Sequence, residues 1–298
     1  MDMKTLTVFT PTYNRAHTLG RVYDSLCRQS CKDFEWMVID DGSTDGTRAL
    51  VESYQETGFP IHYIYKENGG LYTGYNTAYA NIQTELCVCI DSDDYMPDDA
   101  VEKIVTFWQQ KGSSKYAGFL GLDYNIATKE LIGGRFPEGL EEVYFYDLHL
   151  KGLHGGDTKP VMRTELMREV APQIGFPGEK NFNPVYMMLQ VCDKYPILLL
   201  NENLCNVEYQ IGADSMSQGI WRQYVNSARS FAKLRLLEMT LQHNTLKNKM
   251  RVCVHYISSC LLSKDKDWLN KSPLKGMTLM LFPVGFALYL MVLWKNRQ

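Results

Sequence analysis

Two short acidic clusters carry the first chemistry legible in the chain, Asp40-Asp41 and Asp91-Ser92-Asp93-Asp94. Each follows an apolar run of strand character, Glu35 to Ile39 and Leu86 to Ile90. Ligands of open α/β sheets bind beyond the carboxyl ends of the strands, so the two clusters are expected to meet at one sheet edge. Three carboxylates within four residues repel one another unless a cation lies among them, and hard oxygen ligands of this kind suit Mg²⁺ or Mn²⁺. Such ions are commonly held by one or two carboxylates together with substrate phosphates, which points to a nucleoside-diphosphate ligand. The plainer alternative makes Asp93 and Asp94 turn and capping residues for a helix opening at Pro97.

The surrounding pattern supplies the elements that would position these groups. Strands are predicted at Leu6 to Phe9, Glu35 to Ile39, Ile61 to Tyr65 and Leu86 to Ile90, each a short β-branched or aromatic run. Between them, Leu19, Val22, Tyr23, Leu26 and Cys27 recur at helical spacing, as do Leu50, Val51 and Tyr54, with Ser43 or Thr44 available as an N-cap. Asn68-Gly69-Gly70 precedes a helix to about residue 82, and Val101, Ile104, Val105 and Trp108 mark the buried face of another. Alternating strands and helices of this kind make a layered α/β fold. In the middle third of the chain the periodicity is weak, and glycine- and aromatic-rich stretches such as Ile132-Gly133-Gly134-Arg135-Phe136-Pro137 read as loops and irregular strands. From about Ser215 to Ser263 it turns helical, with Trp221, Tyr224, Val225, Ala228 and Phe231 on one stripe.

With 298 residues, 45% of them hydrophobic and 22% charged, the composition is that of an ordered globular protein with room for one large domain with an appendage or two smaller ones. The balance of 31 basic and 34 acidic residues offers no electrostatic case for nucleic acid as a partner. Eight cysteines without a CxxC pair are expected to be reduced thiols, and the N-terminus carries no secretory signal pattern. Gly276 to Trp294 is free of charge and, as a straight helix, would be about 28 Å long, close to the ~30 Å of a bilayer core. Lysines precede it and Lys295 and Arg297 follow, so both flanks are basic. The expectation is a membrane-associating tail, as a helix or kinked hairpin in one leaflet, with a spanning helix or a buried core helix as alternatives.

Taken in order, Val8-Phe9-Thr10-Pro11-Thr12-Tyr13-Asn14-Arg15, Val38-Ile39-Asp40-Asp41-Gly42-Ser43-Thr44-Asp45 and Asp91-Ser92-Asp93-Asp94 resemble the signatures of bacterial, inverting family 2 glycosyltransferases. The resemblance continues through Gly156 to Leu166 and Phe176 to Phe182, to about residue 217. It implies an α/β GT-A fold, a mixed sheet flanked by helices and Rossmann-like in its first half, with a C-terminal helical extension. The expected division is a GT-A domain over 1–212, helices over 213–275 and the tail over 276–298. By the same resemblance, Pro11, Tyr13, Arg15, Asp41, Asn76, Asp91 and Ser92 contact the donor nucleotide, with Asp41 on a uracil ring and Arg15 toward the phosphates. Asp91 and Asp93 would hold Mn²⁺ or Mg²⁺. Inversion needs a carboxylate opposite the diphosphate to take the acceptor proton; Glu179 is the first candidate and Asp157 the second, with a structural bond from Glu179 to Lys180 or Arg163 as the competing role.

The implied activity is transfer of a sugar from a nucleotide diphosphate, UDP first, to a glycan or lipid-linked saccharide in bacterial surface polysaccharide synthesis. The setting would be cytoplasmic, at the inner face of the cell membrane. Two departures bear on it. Leu71-Tyr72 replace a Lys-His pair of many relatives, with Arg15 or Arg163 as substitute cations, and Asn183-Pro184-Val185 stand where some relatives carry an acid. A degenerate nucleotide-sugar-binding scaffold and a sugar nucleotidyltransferase are the alternatives, the latter lacking its expected glycine-rich basic loop near the N-terminus.

Overall fold

The computed structural model describes residues 4–54, 58–208 and 220–297. The first half follows the expected alternation: β1 (Leu6–Thr12), α1 (Leu19–Cys27), β2 (Phe34–Asp40), α2 (Thr47–Ser53), β3 (Ile61–Tyr65), α3 (Leu71–Asn81), β4 (Leu86–Cys89) and α4 (Ala100–Lys111). Then come β5 (Gly118–Asn125), β6 (Glu130–Leu131), β7 (Glu142–Val143), α5 (Phe145–Leu150), β8 (Thr158–Arg163), α6 (Thr164–Val170), α7 (Val185–Cys192) and β9 (Ile197–Val207). These strands form one mixed sheet in the order β3-β2-β1-β4-β8-β5-β9-β7, with β6 beside β5. Strands β1 to β4 are parallel, β8 runs against both β4 and β5, and β9 is parallel to β5. The carboxyl ends of β1, β2, β4, β5 and β9 therefore share an edge with the amino end of β8.

Two apolar layers sandwich the sheet. Leu6, Val8, Trp36 and Val38 face α1 and α4 through Leu19, Val22, Leu26 and Ile104. Phe9, Ile39, Leu122 and Met162 face α3, α6 and α7 through Ala78, Tyr79, Leu166 and Met187. The alternation of Val8 and Phe9 between the layers is the period of a strand buried on both sides.

Two expected helix starts move. α2 begins at Thr47, whose N–H is taken by Asp45, because Ser43 Oγ is already spent on the Asn14 N–H. α4 begins at Ala100 rather than Pro97; Asp98 pairs with Arg28 and Asp99 with Lys103, and Gln29 Oε1 caps the Val101 N–H at 2.9 Å.

The expected boundary near 212 and the end of the resemblance near 217 lie outside the described residues. Beyond them stand α8 (Ile220–Asn226), α9 (Ala228–Thr240), α10 (Leu246–Leu262), α11 (Trp268–Lys271), α12 (Lys275–Met280) and α13 (Phe282–Lys295). Phe182, Leu189, Leu234 and Leu241 pack together and join α9 to the sheet domain. The uncharged tail is not one rod, because Pro283 sits in the first turn of α13 and ends α12 before it. No helix among the described residues is long and apolar enough to cross a membrane. One side of the tail is buried on α10, at Thr278, Gly285 and Val292, where a Cβ on Gly285 would strike the Ile257 side chain at 2.6 Å. The other side leaves Leu279, Met280, Val284, Phe286, Leu290, Met291 and Trp294 exposed.

Candidate active site

The end of β2 places Asp40 and Asp41 in different roles. Asp40 is fully buried, accepting from the Ser43 N–H at 2.7 Å and the Tyr63 hydroxyl at 2.6 Å, and so shapes the turn. Asp41 reaches the neighbouring loop: its oxygens accept from the Gly69 and Gly70 N–H groups at 2.9 Å each, from Lys66 Nζ and, at 3.4 Å, from the Thr73 hydroxyl. Three of these four bonds fall on Oδ1, which leaves Oδ2 with accepting capacity for a ligand N–H. Gly70 has φ +94° and a Cβ there would collide with the Lys180 carbonyl, so only glycine fits between Asp41 and the 176–183 loop.

Pro11 is buried at the end of β1, against Gly74 of α3. The loop beyond is fixed by Asn14, at φ +53°, whose side chain accepts from the Thr44 N–H at 2.8 Å. That anchoring leaves Tyr13 47% exposed at the tip, a free aromatic face beside the Asp41 turn. Asn76 is used differently from the expectation. Its amide grips the Gln173 backbone on both sides, donating at 2.9 Å and accepting at 2.8 Å, which spends the group on tying α3 to the segment after α6.

After β4, Asp91 is exposed, Ser92 buried, Asp93 half-buried and Asp94 buried. Only β1 lies between β2 and β4, so Asp41 and Asp91 leave the sheet two strand spacings apart, about 10 Å. Burial and the charge of Asp91 push the Asp93 carboxyl up, while Arg15 and Arg21 pull it down. Burial lifts Asp94 to about 7 against the pull of Lys159, with Asp91 and Asp93 adding to the rise. Asp94 accepts from the Glu208 N–H at 3.4 Å, which, with the Tyr95–Asn206 bridge, ties this loop to the end of β9.

Two residues that sequence reasoning missed complete this edge. Lys159, at the amino end of β8, is 8% exposed, with Nζ 3.7 Å from Oδ1 of the buried Asp123 on β5. Burial works against its charge, yet Asp123, Cys205, Asp91 and Asp94 together hold its pKa well above the ordinary lysine value. Burial raises the Asp123 carboxyl, Lys159 lowers it, and Asp157 and Asp91 raise it again. Two register shifts between β5 and β9 flank Leu122 and set Asp123 opposite Cys205, the kind of irregularity that re-aims side chains beside sites. The available signal was a lone acid in the apolar run after Ala117, which needs a buried cation.

Asp157 stands exposed immediately before β8 at this same edge. Glu179 is buried and fully engaged instead. It is 8% exposed and accepts from the Arg229 N–H at 3.1 Å, the Arg229 side chain at 2.9 Å and the Ser230 N–H at 2.8 Å, holding the amino end of α9. Its structural partner is thus Arg229, not Lys180 or Arg163; Lys180 reaches Asn68 instead. Arg163 cannot stand in for the missing cation, because β8 is antiparallel and carries it to the opposite edge, where it bonds the Ser114 and Tyr116 carbonyls at 3.0 and 3.1 Å. Arg15 lies near Asp93, and Lys66 is a cation beside Asp41 that the motifs did not announce.

Among the described residues, no group of three or more His, Cys, Asp or Glu side chains forms a metal cage. Asp91 and Asp93 fit a different arrangement, two mutually repelling carboxylates that a divalent ion would relieve, with phosphate and water completing its shell.

Residues 7–123 match the family described as Glycosyl transferase family 2. The chain is 34% identical over 118 residues to glycosyltransferase GlyA of Streptococcus pneumoniae, a match over 38% of this chain and only 17% of that protein. It is 28% identical over 222 residues to the putative teichuronic acid biosynthesis glycosyltransferase TuaG of Bacillus subtilis, covering 73% of this chain and 83% of that protein. In fold it is similar to residues 1–349 of S. aureus TarS in complex with UDP-GlcNAc, with TM-score 0.60 and 18% identity over 90% of this chain and 79% of that one. The motif-bearing strands, their order and these likenesses agree: residues 7–123 carry a family 2 glycosyltransferase domain, and the chain has the GT-A fold.

Proposed function

We propose that the protein transfers a sugar from a nucleoside diphosphate, with a UDP-sugar as the preferred donor, to a saccharide or lipid-linked acceptor with inversion. One observation carries this reading: Asp41 follows β2, and Asp91 and Asp93 follow β4, two strands away in the sheet, at the edge where the exposed Asp157 also stands. In this reading Tyr13 and Pro11 flank the base, Asp41 Oδ2 accepts from its imide, and Arg15 faces the phosphates. Asp91 and Asp93 hold Mn²⁺ or Mg²⁺, which when bound offsets the charge growing on the departing diphosphate. Asp157 takes the acceptor proton as the hydroxyl attacks the anomeric carbon in line with the leaving group. Glu179 is set aside as base because its carboxylate is occupied by α9.

Bacterial surface polysaccharide synthesis is the setting supported by the likeness to TuaG and by the exposed apolar side of α12 and α13. That side, with Lys275, Lys295 and Arg297 around it, would hold the enzyme at the inner face of a membrane, where lipid-linked acceptors lie. The test is sugar release and transfer from a panel of UDP-, GDP- and dTDP-sugars with and without Mn²⁺. The expected result is metal-dependent transfer that falls at least 100-fold in Asp93→Ala and in Asp157→Asn, with donor binding kept in the latter. Donor binding without turnover on any acceptor would make the protein a scaffold instead.

A further inference from the structure

We propose that the cavity between the sheet domain and the C-terminal helices is a second binding site, taking a phosphate group. The cavity measures about 240 Å³ and is walled by α5 and α7 on one side and α9 and α10 on the other. It contains none of the residues placed at the donor edge, so this inference goes beyond the transfer reaction and does not rest on it.

The charged groups and imidazoles decide what it accepts: Arg235, Arg251, Glu238, His149 and His255. Glu238 is committed, accepting from the Tyr146 hydroxyl at 2.7 Å and from Arg235 Nη1. That pairing leaves Arg235 Nε buried without a hydrogen-bond partner. Arg251 has no partner among the described residues, so the cavity keeps one uncompensated positive charge. The imidazoles add dipoles rather than charge: burial and the two arginines hold His255 down at about 4, and burial with His154 lowers His149. His255 Nδ1 is 3.1 Å from the Tyr224 hydroxyl, and its Nε2 has no partner among the described residues. Spare guanidinium donors around a compact space suit a tetrahedral oxyanion. Phe145, Leu150, Val185, Leu189 and Val252 form the apolar part of the wall, which favours an apolar substituent on that anion. The volume falls below the ~300 Å³ that encloses a drug-sized ligand, so a head group enters and its body remains outside.

The orientation of α10 makes a lipid phosphate a natural source. Asn248, Arg251, Val252 and His255 line the cavity at helical spacing, while Cys253 and Ile257 turn the other way toward the tail helices, whose outer side chains are exposed and apolar. A free phosphate is the other source of the same chemistry.

Histidine ring signals of the intact ¹⁵N-labelled protein test the site at fixed ionic strength, with inorganic phosphate in one arm and dioctanoyl phosphatidic acid in the other. His149 and His255 are expected to shift saturably while the exposed His17 and His62 do not. Arg251→Ala, at an exposed helical position, is expected to raise the midpoint at least tenfold, and Arg251→Lys to restore part of it. A lower midpoint for the lipid assigns a lipid head group, and equal midpoints assign free phosphate; either supports the site. No saturable shift with either probe, or the same midpoint in wild type and Arg251→Ala, overturns the proposal whether or not the protein transfers sugar.

Discussion

Replacing Lys159 by Met keeps most of the side-chain volume and removes the cation from among Asp123, Asp91 and Asp94. At the observed 3.7 Å, the attraction between Lys159 and Asp123 is about 4.5 kcal/mol at an effective dielectric near 20. Asp123 Oδ1 has no hydrogen bond to fall back on, so the variant leaves a buried charge uncompensated, a loss of roughly 3–5 kcal/mol. For a chain of this size that corresponds to a fall in Tm on the order of 10 °C. Asp123 will then hold its proton to higher pH. A carboxyl whose folded-state pKa exceeds its unfolded value binds more protons when folded, so its contribution is full at low pH and lost as pH rises. The deficit of Lys159→Met should therefore shrink between pH 8 and pH 5. Adding Asp123→Leu should recover most of the Tm, since two apolar residues replace an ion pair at little cost. Thermal melts of wild type, both single variants and the double variant across this pH range measure the coupling. A Lys159→Met protein melting within 2 °C of wild type, or a double variant no better than the single, would refute the claim that this pair holds the acidic edge together.

Three further outcomes are expected. Glu179→Gln loses the charged part of its grip on α9 and should cost about 1–2 kcal/mol by denaturant unfolding while leaving kcat within a few-fold; an unchanged stability with a hundredfold lower kcat would return the role of base to Glu179. His255, held at about 4 when folded and near 6.5 when unfolded, takes up protons preferentially in the unfolded chain, so stability is lost as pH falls from 6.5 toward 4. Discounted for partial solvation, this is roughly 1–3 kcal/mol, and His255→Phe should flatten that part of the stability curve. Gly70→Ala forces the Asp41 loop away from the Lys180 carbonyl and should weaken UDP binding about tenfold in calorimetry, with little change in folding cooperativity.

The sequence made the first half of the edge, from β1 to β4, legible because everything there is local. β1 to β4 each read as an apolar run, and Asp41, Asp91 and Asp93 follow their strands directly. The half built on β5, β8 and β9 was hidden by residues that imitate loops. Gly118 and Gly121 interrupt β5 because a Cβ would collide with the Val161 carbonyl at one and Leu204 at the other. Pro160 reads as a breaker, yet it pairs with Leu120 beyond the end of the β4 ladder. Lys159 and Asp123 meet only because β8 is inserted antiparallel, and nothing in their spacing records that. The Glu179–Arg229 pair spans 50 residues and joins two elements that the sequence placed in different domains.

That pair has a mechanical reading. Arg229 and Ser230 hold Glu179, Lys180 lies one residue on with its carbonyl against Gly70, and Gly70 donates to Asp41. The far end of the same series runs from α9 through α10 to the tail. Tension applied to the tail would thus be transmitted, by three rigid couplings, to the Asp41 carboxylate.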